Sequence, residues 1–195
     1  MGDPVLNLLA GPNGAGKSTF VAELIGPVTG LRFINADEIA AQTWPGREVD
    51  HAYEAADLAT RERQRAIESR ESFITETMFS HQSKLDLIRE ATAAGYHVTL
   101  HIVVIPEALA LARVQNRVEQ GGHDVPEDKI TGRFARLWGH LRDAIDLAEE
   151  TVVYDNSRAG HAFRRIASFS QGRLVGTADW PAWTPDQLRT AGRSS

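Results

Sequence analysis

Gly11-Pro12-Asn13-Gly14-Ala15-Gly16-Lys17-Ser18 places a glycine, four residues, then Gly-Lys-Ser, which is the G-x-x-x-x-G-K-[ST] spacing of a phosphate-binding loop. Such a loop turns backbone N–H groups inward around a phosphate, and the positive end of the following helix adds to the field. On this reading the segment from Gly11 to Thr19 holds the phosphates of ATP. Lys17 reaches the β- and γ-phosphates, and the Ser18 hydroxyl joins the shell of a Mg²⁺ ion.

Two acidic residues follow predicted strands. Asp37 ends Ile34-Asn35-Ala36-Asp37, and Glu76 lies in Phe73-Ile74-Thr75-Glu76-Thr77. In an open parallel sheet, ligands gather at the carboxyl ends of the strands. Both carboxylates are therefore expected to open toward the crevice of the loop. Phosphoryl transfer to an alcohol needs a carboxylate that orients the hydroxyl and takes its proton, and Asp37 is the candidate. It has a structural alternative as the N-cap of a helix through Glu38-Ile39-Ala40-Ala41. Glu76, with Thr77 and Ser80 beside it, is a candidate for binding acceptor hydroxyls or for aiding the metal through water. A carboxylate next to Phe73-Ile74 needs a polar partner.

Arginines supply the remaining charge. Arg113 and Arg117 are four apart on a predicted helix over 107–120 and share a face. Arg133, Arg136 and His140 form a stripe on the next helix, about 100° or more from the core stripe of Ile130, Phe134, Leu137, Leu141 and Ile145. Gly121-Gly122-His123-Asp124-Val125-Pro126 separates the two helices. Residues 107–142 thus read as a small helical lid whose arginines neutralise a phosphoryl group in flight. Arg117 is assigned to catalysis, Arg113 and Arg133 to ATP, and Arg136 to the acceptor. Solvated surface arginines are the structural alternative. His123 reads as a loop histidine.

The elements that must hold these groups alternate. Val5-Leu6-Asn7-Leu8-Leu9-Ala10 is an apolar run suited to a strand buried on both faces. Helices are predicted over 17–25, 53–69, 84–94 and 107–120, with another running from the glycine-rich turn to about 150. Strands are predicted over 31–34, 72–76, 97–105 and 151–154, and a last one within 166–175. Alternation of this kind predicts an α/β P-loop NTPase fold, a five- to six-stranded mostly parallel sheet with helices on both faces. No repeat or linker divides the chain, so residues 1–177 read as one domain and 178–195 as an irregular tail. Trp138, Trp180 and Trp183 read as packing residues. Tyr154-Asp155-Asn156-Ser157 is placed near the base or sugar of a nucleotide, or is plain turn chemistry.

The chain has 195 residues, no cysteine and a formal net charge of −5. Disulfides, thiolate metal sites and cysteine nucleophiles are excluded. The acidic balance gives no field for gripping a nucleic-acid backbone. No signal-like or membrane-length apolar run occurs, so a cytoplasmic protein is expected. An ABC-type signature and a guanine-reading Asn-Lys-x-Asp are both missing from the sequence.

With these pieces in place the chain resembles the zeta-toxin kinase family in its short bacterial form. The resemblance rests on the P-loop, Ile34-Asn35-Ala36-Asp37, Phe73-Ile74-Thr75-Glu76-Thr77, Gly121-Gly122-His123-Asp124-Val125-Pro126 and Tyr154-Asp155-Asn156-Ser157. It implies a kinase using ATP and Mg²⁺ that phosphorylates the 3′-hydroxyl of the amino sugar in UDP-N-acetylglucosamine. It also implies a small helical antitoxin as partner. Carried over by position, Asp37 is the base, Lys17 and Ser18 hold phosphate and metal, and Glu76 touches the sugar. Arg117 and a basic residue between His123 and Arg133 serve the transferring phosphate. Glu76-Thr77-Met78-Phe79-Ser80 departs from the family's Glu-Gly-Thr-x-x-Arg, replacing a hydroxyl and an arginine. The alternatives are a kinase of another small hydroxyl compound, such as an antibiotic or a nucleoside, and a non-enzymatic ATP-binding switch.

Overall fold

The computed structural model describes residues 2–79, 81–119 and 127–192, without the side chains of Ser83, residues 117–119, residues 127–131, Arg133 and Ala135. Strand β1 (Val5–Ala10) is the spine of a sheet that continues with β2 (Arg32–Ile34), β3 (Phe73–Thr77), β4 (His97–Val104), β5 (Glu150–Asp155), β6 (Arg164–Ser170) and β7 (Arg173–Leu174). Their spatial order is β2-β3-β1-β4-β5-β6-β7. The first five are parallel, and β6 and β7 join antiparallel. Leu6, Leu8, Leu9 and Ala10 have no exposure, and neither do Val98, Leu100, Ile102, Val103 and Val104. Consecutive strand residues face opposite sides, so both faces of these strands are covered.

Two cores follow. One face carries Phe20, Val21 and Ile25, which pack on Leu9, Ile74, Val103 and Ile105. They belong to the helical stretch after the loop, α1 (Lys17–Phe20), a π-helical turn (Val21–Ile25) and α2 (Gly26–Thr29). The same face carries α6 (Glu107–Glu119) through Leu109 and Ala110, and the other carries α3 (Ala36–Thr43), α4 (Ala52–Ser69), α5 (Ser83–Ala93) and α7 (Glu127–Leu147). Their inward residues, among them Ala59, Ile67, Ile88, Leu137, Leu141 and Ile145, form the larger core. The predicted stripe of α7 is thus buried at Leu137, Leu141 and Ile145 and half-buried at Phe134, while the side chain of Ile130 is outside the description.

Three sequence expectations need adjustment. The helix predicted over 17–25 continues to Thr29 by way of the π-helical turn, with Pro27 in the first turn of α2. The single strand expected within 166–175 is a hairpin, which brings the sheet to seven strands. Gln171 (φ 47°) and Gly172 (φ 74°) are both left-handed, as the two central residues of a type I′ turn must be. The segment from 178 is not wholly irregular. It includes α8 (Asp186–Arg189) and buries Thr184, Leu188 and Ala191, and Trp180 and Trp183 pack against the larger core. Among the described residues no helix is long and apolar enough to cross a membrane.

Candidate active site

The loop between β1 and α1 depends on its glycines. Gly11, Gly14 and Gly16 have φ of 144°, 75° and 92°, a region that side chains disfavour. A Cβ on Gly11 would lie 2.2 Å from the Val103 carbonyl oxygen, and one on Gly16 would lie 2.7 Å from Asn156 Nδ2. Lys17 is 8% exposed. Its ammonium donates to the carbonyl oxygens of Gly11 at 3.1 Å and Pro12 at 3.2 Å, which folds it back over the loop. Pro12 and Ala15 are buried, Asn13 is half-buried, and Ser18 and Thr19 are exposed at the start of α1.

Neighbouring strands clamp this loop. Asn156, just past β5, donates its backbone N–H to the Val104 oxygen at 3.0 Å. Its side-chain amide donates to the Ala15 oxygen at 2.8 Å. Arg113 of α6 donates from Nη1 to the Gly14 oxygen at 2.9 Å and from Nη2 to the Asn156 oxygen at 3.1 Å. One guanidinium thereby ties loop, α6 and the end of β5 together. Beneath them Phe20 packs on Tyr154, Phe163 and His101, with ring centroids 4.7, 5.0 and 5.7 Å apart. A cleft of about 540 Å³ opens beside Asn156, lined by Ser157, Arg158, His161, Pro181 and Trp183.

The acidic side is set by strand register. Glu76 and Thr77 lie opposite Leu9 and Ala10, the last residues before Gly11. The Ser18 hydroxyl donates to Glu76 Oε2 at 2.8 Å, so Glu76 has the polar partner its setting requires. On the far side of β3, Ile34 is in register with Thr75, whose hydroxyl donates to the Ile34 oxygen at 2.7 Å. Asn35 and Asp37 therefore follow directly alongside Glu76.

The cap of α3 is Asn35, not Asp37. Asn35 Oδ1 accepts from the N–H of Asp37 at 2.6 Å and of Glu38 at 3.2 Å. Asp37 is exposed in the first helical turn, and among the described residues its carboxylate makes no hydrogen bond or ion pair. Sequence reasoning missed Glu38. Partial desolvation, and then the negative charge of Glu76, push its carboxyl above the usual range. An acid one residue beyond a candidate base was the signal. The role of Asn156 was missed as well, since Asp-Asn-Ser after a strand reads as a turn.

Ser80 and the segment 121–126, His123 included, lie outside the described residues, as do the side chains of Arg117 and Arg133. Arg136 is exposed on α7, with its guanidinium lying back along the helix beside Gly132. The oxygen donors of Ser18 and Glu76, joined at 2.8 Å, suit a hard cation such as Mg²⁺, which binds through one or two carboxylates and substrate phosphates.

The AAA domain family matches residues 6–137. No curated protein sequence matches the chain. Among solved structures, one from the PezAT chromosomal toxin–antitoxin system of Streptococcus pneumoniae superposes with a TM-score of 0.60 at 17% identity, over 80% of this chain and 68% of that one. A chain of the AvrRxo1-ORF1:ORF2 complex solved with ATP gives 0.68 at 19% identity, over 89% of this chain and 60% of that one. This chain thus spans three fifths of that neighbour. A gluconokinase from Sinorhizobium meliloti 1021 gives 0.50 at 21% identity, covering 81% and 86%. At these identities the likeness shows a shared P-loop NTPase fold.

Proposed function

This chain belongs to the AAA domain family, and we propose that within it the chain is an ATP-dependent phosphotransferase whose acceptor is a hydroxyl of a small molecule. One observation carries the reading. The loop serine is bonded to Glu76 at 2.8 Å, and on the adjoining strand end Asn35 has taken over the cap, which leaves the Asp37 carboxylate uncommitted. A nucleotide-binding loop that serves only as a switch has no need of an uncommitted acid there.

In this account Gly11 to Thr19 and Lys17 bind the triphosphate, and Ser18 with Glu76 holds Mg²⁺ directly or through water. That ion neutralises charge on the phosphates. Asp37 orients the acceptor hydroxyl and accepts its proton. Glu76 and Thr77 line the acceptor side, with Ser80 and Arg136 as further acceptor contacts. Arg113 holds the loop and adds positive charge beside it, while Arg117 is assigned to the transferring phosphate and Arg133 to ATP. The cleft beside Asn156 takes the nucleoside end of ATP.

The finer reading is a kinase of the zeta-toxin type acting on a sugar nucleotide such as UDP-N-acetylglucosamine in the cytoplasm, with a small helical antitoxin as partner. The sequence motifs and the PezAT neighbour support it. The departure at Met78-Phe79-Ser80, where Phe79 is fully buried, favours a second reading in which the acceptor is another small hydroxyl compound. Incubation with γ-labelled ATP, Mg²⁺ and a metabolite extract, with UDP-N-acetylglucosamine as a separate arm, tests both. Label on an organic acceptor supports a kinase, and its identity separates the two readings. ATP binding with no labelled acceptor in any arm contradicts the proposal.

A further inference from the structure

We propose that Arg63 of α4 and Lys84 of α5 form an oxyanion-binding subsite on the acceptor side of the crevice, so that the acceptor alcohol itself carries a phosphate or carboxylate group. The proposal deepens the phosphotransferase reading and rests on it for the word acceptor.

Position comes first. The buried stripe of α4 is Ala55, Ala59, Ala66 and Ile67, and Arg63 stands four residues after Ala59 and three before Ala66. It therefore lies on the inward stripe, not the solvent face. On α5 the buried residues are Leu85, Ile88 and Ala91, and Lys84 stands four before Ile88. Both cations are half-buried, and both helices pack into the same core. Arg63 Nη2 donates to Thr60 Oγ1 at 2.8 Å, one turn nearer the start of α4. A helix joining two parallel strands runs opposite to them, so that direction leads toward the strand ends that carry Asp37 and Glu76. Lys84 opens the helix after β3, eight residues beyond Glu76.

Charge comes second. On the same two helices Arg61 pairs with Asp57, Arg65 with Glu62 and Arg89 with Asp86. Arg63 and Lys84 pair with no carboxylate among the described residues. Burial lowers the proton affinity of both, and the charge of Arg63 lowers that of Lys84 further. Two desolvated like charges on inward stripes are unfavourable by themselves and favourable around an anion. An arginine fork with a lysine point charge is a pairing suited to an oxyanion.

The test uses the full chain saturated with Mg²⁺ and a non-hydrolysable ATP analogue, so that the P-loop is occupied. Inorganic phosphate and acetate are titrated in separate arms, followed by calorimetry. Wild type is expected to bind one of them, and Arg63→Gln and Lys84→Gln to weaken that binding tenfold or more. Arg63→Lys and Lys84→Arg should restore most of it. In wild type, the bound anion should also slow acylation of the Lys84 amine. No binding by wild type, unaltered binding by the Gln variants, or no protection of Lys84 overturns the proposal. Phosphate binding that persists alongside failure to find any phosphorylated acceptor would leave the subsite standing and remove the kinase reading.

Discussion

At residue scale the loop glycines and their neighbours carry distinct costs. Gly11→Ala places a methyl against a backbone oxygen at 2.2 Å and should destabilise the fold by at least about 3 kcal/mol, read by urea denaturation. Asn156→Ala removes the donor to Ala15 and should cost about 1–3 kcal/mol, with weaker ATP binding because the loop loses its clamp. His101 makes a separate, pH-linked prediction. Its Nε2 pairs with Asn7 Oδ1 at 3.0 Å, both residues are 8% exposed, and its Nδ1 has no partner among the described residues. Burial lowers its pKa from 6.5 to about 4. The imidazole is neutral in the folded state, so its contribution is present above pH 6.5 and is lost as pH falls from 6.5 through about 4. The full loss is about 3 kcal/mol. Urea titrations across that window should show a shallower decline for His101→Gln than for wild type.

At element scale the sheet register does the positioning. Glu76 was legible from the strand pattern because Phe73-Ile74-Thr75 is apolar enough to be central. Asp37 was legible only as a pair of alternatives, since Asn and Asp both cap helices and the sequence carries Asn35 and Asp37 two apart. In the fold Asn35 is the cap, its Oδ1 accepting from the N–H groups of Asp37 and Glu38. Asn35→Ala should therefore cost about 1 kcal/mol of stability and should also slow phosphoryl transfer, since the turn that carries Asp37 loosens. Comparing the melting temperature with turnover at saturating ATP checks both halves. The hairpin of β6 and β7 was not legible, because Gln171-Gly172 is a weak turn signal beside Asn-Gly. Arg63 and Lys84 were invisible for a related reason. One charge on a helix looks solvated until the faces of two helices are known.

At the scale of the molecule, three adjacent parallel strands, β2, β3 and β1, end at one edge and hand the crevice an acid, a second acid and the phosphate loop in that order. The account depends on that order, because it sets the Asp37 carboxylate beside Glu76 and Glu76 beside the strand that leads into the loop. Lys17→Ala should abolish nucleotide binding, which calorimetry with ATP would show, yet that result would hold for any P-loop protein. The direct test is Asp37→Asn, assayed for ATP affinity and for transfer of γ-phosphate to the acceptor recovered from extract. The account predicts unchanged ATP affinity and transfer slowed by roughly 10² or more. Transfer at the wild-type rate by Asp37→Asn would contradict it.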